Sequence, residues 1–233
     1  MITGITRVRN ESLIIEDTLQ HFLQFCGSII LYDDASADGT ADIADDFEKV
    51  RVIRGNQWHK NRPIEETRHR RLLLARVKTP WTLCFDADER LIGKLPKLSA
   101  DGYRFRLFDG YMTSTFKRPY SYGELLSLPR MWGPEFRDIL MLFKTGKAKY
   151  VGLDRREPFL LGNIKLAAVQ VKHFGKCLSE DHWEETCNYY ANYWPEPYRS
   201  KWASRRGQAI HTLSDFGRPL YLWDDVATAG VRL

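Results

Sequence analysis

The sequence lacks the long apolar runs and paired cysteines that mark membrane-spanning and disulfide-rich proteins. No stretch approaches the roughly 18 apolar residues of a membrane span, and the N-terminus carries no signal-peptide pattern. The four cysteines, Cys26, Cys84, Cys177 and Cys187, form no Cys-x-x-Cys pair. We interpret them as reduced structural residues and expect a cytoplasmic protein with no integral membrane segment, leaving peripheral membrane association open.

The glycine-rich phosphate loops of common nucleotide-binding enzymes are also missing. Neither Gly-x-Gly-x-x-Gly nor Gly-x-x-x-x-Gly-Lys-Ser/Thr occurs. Because these loops place backbone N–H groups around phosphates, their absence disfavours a P-loop NTPase or an NAD dehydrogenase. If a nucleotide binds, a metal ion and arginine side chains have to hold its phosphates.

The composition is that of a globular protein, with 43% hydrophobic and 28% charged residues among 233. Collagen, coiled-coil and disordered classes are excluded. The net charge is +5, and its distribution is uneven. Residues 54–78 contain eight basic and two acidic residues, so this segment is at +6 and the rest of the chain at −1. Such a local excess indicates an anionic ligand.

The first 97 residues alternate between short apolar runs and segments with helical periodicity. This alternation predicts an α/β fold with a doubly wound, mostly parallel, Rossmann-like sheet. Asn10 or Ser12 is the expected N-cap of the first helix. The predicted strands cover residues 2–8, 28–32, 50–53 and 81–85.

Beyond Lys97, apolar runs follow one another without clear helices, which predicts a mixed or antiparallel extension of the same sheet. These runs cover residues 103–108, 139–143 and 164–174. A helix is expected from Ser179 as N-cap. We expect one domain over residues 1–233, with a nucleotide-binding half (1–97) and an acceptor-binding half (98–233).

Two of the predicted strands end in paired carboxylates, Asp33-Asp34 and Asp86-x-Asp88. In a doubly wound sheet, ligands bind beyond the carboxyl ends of the strands. Both pairs are therefore expected to face one crevice, where Asp86 and Asp88 could bind a hard divalent cation together with water and phosphates. A helix with Arg68, Arg70 and Arg71 precedes the second pair, and we expect one or two of these arginines to reach the crevice.

Three segments resemble successive blocks of the family-2 glycosyltransferases with the GT-A fold, in the same order and spacing. They cover about the first 95 residues. The segments are Arg7-Val8-Arg9-Asn10-Glu11, Tyr32-Asp33-Asp34-Ala35-Ser36-Ala37-Asp38-Gly39-Thr40 and Thr79-Pro80-Trp81-Thr82-Leu83-Cys84-Phe85-Asp86-Ala87-Asp88-Glu89.

The resemblance implies a metal-dependent, inverting transfer of a sugar from a nucleotide-diphosphate sugar, most often a UDP-sugar. It places Asp86 and Asp88 at Mn²⁺ or Mg²⁺, with Asp88 as the direct ligand and Asp86 at ribose or metal-bound water. A cation and arginines such as Arg68 and Arg71 would stabilise the departing diphosphate. The base and ribose are expected near Thr6, Arg9, Asp33 and Asp34.

The second half resembles, more loosely, a subgroup that adds sugars to bacterial surface glycans. That subgroup has a His-Glu pair before a strand and a later histidine, whereas this chain has Arg156-Glu157 and then His173. His173 is a candidate metal or diphosphate contact. Inversion requires a general base, for which Glu157 is the first candidate and Asp154 the second.

Aromatic and basic residues concentrate between residues 183 and 206, which is compatible with an acceptor platform or with core packing. A cell-surface or lipid-linked saccharide is the first acceptor hypothesis, and a hydroxylated base in DNA, as for some phage enzymes, is the alternative. Two further alternatives are a nucleotidyltransferase that makes sugar nucleotides and a non-catalytic nucleotide- or carbohydrate-binding protein. The nucleotidyltransferase normally has a glycine-rich basic loop near the N-terminus, which Gly4-Ile5-Thr6-Arg7 does not supply.

Overall fold

The computed structural model of the protein describes residues 1–56, 62–114, 130–152 and 156–232, with the backbone alone for residues 62–64 and 229. Nine strands form one mixed, largely parallel sheet, and a two-stranded sheet lies apart from it. The predicted α/β class, with a parallel first half and a mixed second half, is confirmed. Within this part of the chain, no helix is long and apolar enough to cross a membrane.

The parallel half of the sheet has the strand order β3-β2-β1-β4. The strands are β1 (Ile2–Val8), β2 (Ser28–Asp33), β3 (Val50–Arg54) and β4 (Trp81–Cys84). Side chains alternate across the sheet because a strand has a period of two residues. Ile29 and Leu31 belong to one buried cluster and Ile30 belongs to the other. Helices therefore cover both faces.

The helices in the first half are α1 (Ile15–Phe22), α2 (Thr40–Asp45) and α3 (Arg62–Leu74). Leu19 and Phe22 of α1 pack in the first buried cluster, and Leu73 of α3 packs in the second. The N-cap prediction for α1 was wrong: Ile14 is the N-cap, without a side-chain hydrogen bond. Asn10 instead has φ 52° and supplies a side-chain oxygen to the backbone N–H of Ala37.

The second half adds long strands that pair with those of the first half. They are β5 (Glu89–Ile92), β6 (Gly102–Tyr111), β7 (Met131–Lys144), β10 (Ile164–His173) and β11 (Val231–Arg232). Strand β7 is antiparallel to both β4 and β6, so β6 runs in the direction of β4. Strand β10 is parallel to β6 and antiparallel to β5. The separate pair is β8 (Ala148–Lys149) and β9 (Phe159–Leu160).

The last part of the chain contains α4 (Glu180–Tyr193), α5 (Tyr198–Ala203) and α6 (Trp223–Ala229). The cap prediction for α4 is confirmed, since Ser179 Oγ accepts a hydrogen bond from the backbone N–H of His182. Glu180 and Asp181 complement the helix dipole in the first turn. Helices α4 and α5 lie beside the strand ends and form one wall of the site described below.

Candidate active site

Residues that follow β1, β4, β6 and β10 meet at one edge of the sheet, because these four strands run in the same direction. A cavity of about 840 Å³ lies at this edge, between the strand ends and α4 and α5. It is lined by seven cationic side chains, counting a protonated His173, and seven carboxyl groups. The cationic residues are Arg7, Arg9, Arg70, Arg137, His173, Lys176 and Lys201, and the acidic residues are Glu11, Glu66, Asp86, Asp88, Asp109, Glu185 and Asp215.

Asp86 lies directly beyond β4 between two guanidinium groups. Its Oδ1 accepts a hydrogen bond from Arg70 Nη2 at 2.7 Å, and its Oδ2 lies 3.4 Å from Arg156 Nε. Burial acts to raise the pKa of Asp86, but the charges of Arg156 and Arg70 outweigh it and hold this pKa well below its usual range. Arg156 also pairs with Glu89 at 2.5 Å. The arginine at the position of the subgroup's histidine thus reaches the Asp-x-Asp segment.

Asp88 and Asp109 hold His173 between them. His173 Nε2 is 3.1 Å from Asp88 Oδ2, and His173 Nδ1 is 2.6 Å from Asp109 Oδ1. Burial acts to lower the pKa of His173, but the two carboxylates raise it to about 10. The imidazole is therefore charged at neutral pH. Both ring nitrogens contact carboxylates, so His173 positions Asp88 in this structure, and its role as a metal or diphosphate contact stays a prediction from the sequence.

The chain of alternating charges continues towards the C-terminus. Lys176 Nζ lies 3.0 Å from Asp109 Oδ2 and 3.0 Å from Asp215 Oδ2. Asp215 Oδ1 is in turn 2.9 Å from Arg205 Nη2. Burial acts to lower the pKa of Lys176, and the charge of Asp109 more than compensates, so this pKa is raised. The Asp-x-Asp segment is thereby connected to the loop after α5.

The first predicted carboxylate pair lies beneath the cavity and does not line it. Asp34 is fully buried, and its Oδ2 accepts a hydrogen bond from Arg7 Nη2 at 2.5 Å. Arg9 Nη1 donates to the backbone carbonyl of Asp34 at 2.7 Å. Thr6 and Asp33 are buried below the same surface. Of the four residues expected near base and ribose, Arg9 lines the cavity and the other three do not.

The three arginines of α3 named from the sequence differ in whether they line the cavity. Arg70 lines the cavity, whereas Arg68 and Arg71 do not. Arg68 is exposed and lies 3.6 Å from Glu65, while Arg71 Nε donates to the carbonyl of Tyr150 at 3.1 Å. One arginine of this helix, Arg70, thus reaches the cavity, and the role of Arg68 and Arg71 at the diphosphate stays a prediction from the sequence.

The first candidate base lies outside the cavity. Glu157 Oε2 pairs with Arg104 Nη1 of β6 at 2.8 Å, and Glu157 is absent from the lining. The role of Glu157 as general base stays a prediction from the sequence. Asp154 lies outside the described residues.

The remaining carboxyl groups of the cavity differ in their partners. Within the described chain, five of the seven are in ion pairs, while Glu11 and Glu185 are in none. Burial, followed by the negative charges of Asp88 and Asp86, raises the pKa of Glu11 well above its usual value. Glu185 lies on the opposite wall and is exposed on α4. Among the described lining residues, Glu185 is thus an exposed carboxylate outside any ion pair.

The aromatic cluster of the last part of the chain is divided between core and cavity. Trp183 and Trp194 are buried in the protein. The remaining rings line the cavity, and Tyr190 stacks on Trp202 with centroids 4.8 Å apart. The Tyr189 hydroxyl donates a hydrogen bond to Glu66 at 3.1 Å and thus connects α4 to α3. The lining rings are Tyr189, Tyr190, Tyr193, Tyr198 and Trp202.

The residues that could bind a divalent cation are Asp86 and Asp88. Among the described residues, no group of three or more His, Cys, Asp or Glu side chains is arranged to hold a metal ion. Asp88 nevertheless has one carboxylate oxygen outside its contact with His173, and both aspartates line the cavity. This donor set fits Mg²⁺ or Mn²⁺, which proteins commonly hold through one or two carboxylates with water and phosphates completing the shell.

Several residues of the site were not predicted from the sequence. Asp109 lies near the end of β6, Lys176 follows β10, and Glu185 is exposed on α4. The available signal was Asp109 near the end of a predicted strand, the same signal that identified Asp86. Lys176 and Glu185 carry no such signal, because their role depends on how α4 and the loop before it cross the strand ends.

No family model and no curated protein matches the chain. Solved structures match at low identity. A crystal structure of S. aureus TarS 1–349 matches with 10% identity over 86% of this chain and 68% of that chain, at a TM-score of 0.47. A crystal structure of S. aureus TarS 1–349 in complex with UDP matches with 11% identity over 88% of this chain and 71% of that chain, at a TM-score of 0.42. HddC from Yersinia pseudotuberculosis matches with 12% identity over 82% of this chain and 100% of that chain at 0.39.

Mannosyl-3-phosphoglycerate synthase from Rubrobacter xylanophilus matches with 17% identity over 48% of this chain and 40% of that chain at a TM-score of 0.33. These matches assign neither a family nor a ligand to the protein.

Proposed function

We propose that the protein transfers a sugar from a nucleoside-diphosphate sugar to an acceptor hydroxyl group. The observation that carries this proposal is the cavity of about 840 Å³ between the Asp86-x-Asp88 strand end and an aromatic wall. Its volume lies within the range of small-molecule sites, about 300–1,000 Å³. One wall is polar and charged, as a diphosphate requires. The other carries aromatic rings, which stack on sugar rings.

The charge of the cavity supports a donor that binds together with a divalent cation. Among the described lining residues, cationic side chains and carboxyl groups are equal in number, and a divalent cation would add positive charge for a diphosphate. Asp86 and Asp88 would hold Mn²⁺ or Mg²⁺. When bound, such a cation would neutralise the negative charge that develops on the leaving diphosphate. Arg9 and Arg70 line the same wall and would orient the phosphates.

We assign the general base to Glu185, with Asp154 kept as a candidate from the sequence. The acceptor oxygen attacks the anomeric carbon while the bond between that carbon and the diphosphate oxygen breaks. The carboxylate takes the proton from the acceptor hydroxyl, and the nucleoside diphosphate leaves with the electron pair of the broken bond. This reaction inverts the anomeric configuration. The five ion-paired carboxylates of the cavity already hold cationic side chains, so they are poorer proton acceptors.

The test is the release of nucleoside diphosphate from a panel of UDP-, GDP- and dTDP-sugars with Mn²⁺ or Mg²⁺, measured by chromatography with water or oligosaccharides as acceptor. Release from one donor is expected, and Glu185→Gln should lower kcat by about 100-fold or more, the usual contribution of a general base. Glu157→Gln is the matched control and should stay within about twofold. Equal effects of both variants would remove the assignment of Glu185.

The same assay distinguishes the alternatives. A nucleotidyltransferase would release pyrophosphate from a nucleoside triphosphate and a sugar 1-phosphate, and no diphosphate from the nucleotide sugar. A non-catalytic protein would bind a donor, detected as a rise in melting temperature, without turnover. Either result would overturn the proposal of glycosyl transfer.

A further inference from the structure

Exposed apolar side chains concentrate at the end of the chain. The described part has 14 exposed large hydrophobic residues, and seven of them lie between residues 198 and 231. They include Leu213, Phe216 and Leu222, which are 47%, 57% and 61% exposed. Contiguous exposed apolar groups with a polar rim mark interaction sites.

Leu213 and Phe216 belong to a hairpin over residues 213–219, and Leu222 follows it as the N-cap of α6. Leu213 pairs with Pro219 across the hairpin, and Ser214 N–H donates to the carbonyl of Arg218 at 2.8 Å. Asp215 in its turn contacts Lys176 and Arg205 at 3.0 and 2.9 Å. The exposure of Phe216 at the tip is therefore imposed by the ion pairs beneath it.

The hairpin is continuous with the mouth of the cavity. Phe216 and Tyr198 both line the cavity and are exposed to solvent, and Lys201 lies on the same wall. A surface that binds this hairpin would therefore lie against the acceptor side of the site.

The charge around the hairpin is basic. Residues 198–222 contain five arginines and lysines and a single acidic residue, Asp215. Asp215 is neutralised by its own ion pairs, and Arg218 lies 3.6 Å from Glu135. The exposed Arg199 and Arg206 therefore supply the excess of positive charge that faces solvent. Such a surface is complementary to an anionic one.

The exposed aliphatic side chains favour an anionic bilayer over a nucleic acid as the partner of this surface. Single-stranded nucleic acids bind aromatic rings by stacking and basic residues through phosphates. Ile210, Leu213 and Leu222 supply neither contact, but they can enter the boundary between headgroups and acyl chains of a bilayer. We propose that the surface formed by Ile210, Leu213, Phe216 and Leu222 with Arg206 and Arg218 docks on an anionic lipid bilayer. Such docking would place the cavity next to a lipid-borne acceptor, and this assignment of the acceptor rests on the proposed function.

The experiment is co-sedimentation of the full chain with phosphatidylcholine vesicles that contain about 30% phosphatidylglycerol, or none. Tight binding to the anionic vesicles is expected, at least tenfold above the neutral ones. The double variant Leu213→Ser/Leu222→Ser should lose about tenfold of that binding, since neither residue lines the cavity. The control Phe159→Ser/Leu161→Ser removes two side chains elsewhere on the protein that are at least as exposed as Leu213 and Leu222, at 61% and 71%, and it should bind as the wild type does.

Equal losses in both double variants, or no preference for anionic vesicles, would overturn the proposal. So would preferential, salt-sensitive binding to DNA over vesicles, which would identify a nucleic-acid partner. Release of nucleoside diphosphate into water is measured in parallel without vesicles. If the wild type releases no nucleoside diphosphate, the proposed function is wrong, but the vesicle experiment still tests membrane docking. We expect the Leu213→Ser/Leu222→Ser variant to release nucleoside diphosphate as the wild type does.

Discussion

Lys176 connects two carboxylates that lie on different parts of the chain, and its removal tests whether this connection stabilises the fold. Its ammonium group is buried and lies 3.0 Å from both Asp109 and Asp215 and 3.3 Å from the Tyr111 hydroxyl. Lys176→Met keeps most of the side-chain volume and leaves the carboxylates without this shared cation.

Removing one partner of a buried ion pair usually costs about 3–5 kcal/mol. Here Asp109 keeps Arg137 and His173, and Asp215 keeps Arg205. We therefore expect a loss at the lower end, about 3 kcal/mol, and for a chain of this size a fall in melting temperature of about 6–12 °C.

Urea unfolding measures the loss. Lys172→Met is the matched control: Lys172 lies over the rings of Trp132 and Trp223, at 5.3 and 4.5 Å, and its loss should cost about 1 kcal/mol or less. A loss below about 1 kcal/mol for Lys176→Met, or equal losses for the two variants, would refute the claim that this buried ion pair holds the hairpin in place.

Two further predictions concern the pH dependence of stability and the arginines of α3. His21 Nε2 accepts a hydrogen bond from the backbone N–H of Leu91 at 2.9 Å, and burial, followed by the charge of Arg90, lowers its pKa to about 4. Because the folded-state pKa lies below the unfolded value of about 6.5, the neutral ring stabilises the fold above pH 6.5, and this contribution is lost as pH falls towards 4. Chemical denaturation should show that the free energy of unfolding falls by about 1–2 kcal/mol between pH 7 and pH 5 because of this group. If His21→Gln lacks this part of the pH dependence, the titration of His21 is confirmed as its cause. Arg70→Ala should weaken donor binding in calorimetry at least tenfold and lower the melting temperature, whereas Arg68→Ala should change neither; the reverse order would contradict this role of Arg70.

The hydrophobic pattern predicts most of the sheet because burial and strand periodicity are local properties. The runs at 2–8 and 50–53 correspond to β1 and β3, with one added residue at the end of β3. Ser179 caps α4 for a similarly local reason, since its side chain and the N–H it accepts from are three residues apart.

The hydrophobic pattern does not predict which of several neighbouring polar side chains lines the cavity. A strand-end rule indicates which edge of the sheet holds a site, but it does not say that Arg7 covers Asp34 while Asp86 stays at the surface of the cavity. The same holds for Glu157, whose position depends on a long-range ion pair with Arg104.

Strand pairing between the two halves has a consequence for synthesis of the chain. Strand β4 has β7 as its outer neighbour, and β5 pairs with β10, which ends at His173. At a translation rate of about 5–20 residues per second, the stretch between the end of β5 and the end of β7 takes roughly 3–10 s to emerge. During that interval the nascent first half has β4 as an open edge, the kind of edge that pairs with other chains. The protein is thus most prone to aggregate while it is still attached to the ribosome, and a version ending near residue 97 retains that edge permanently.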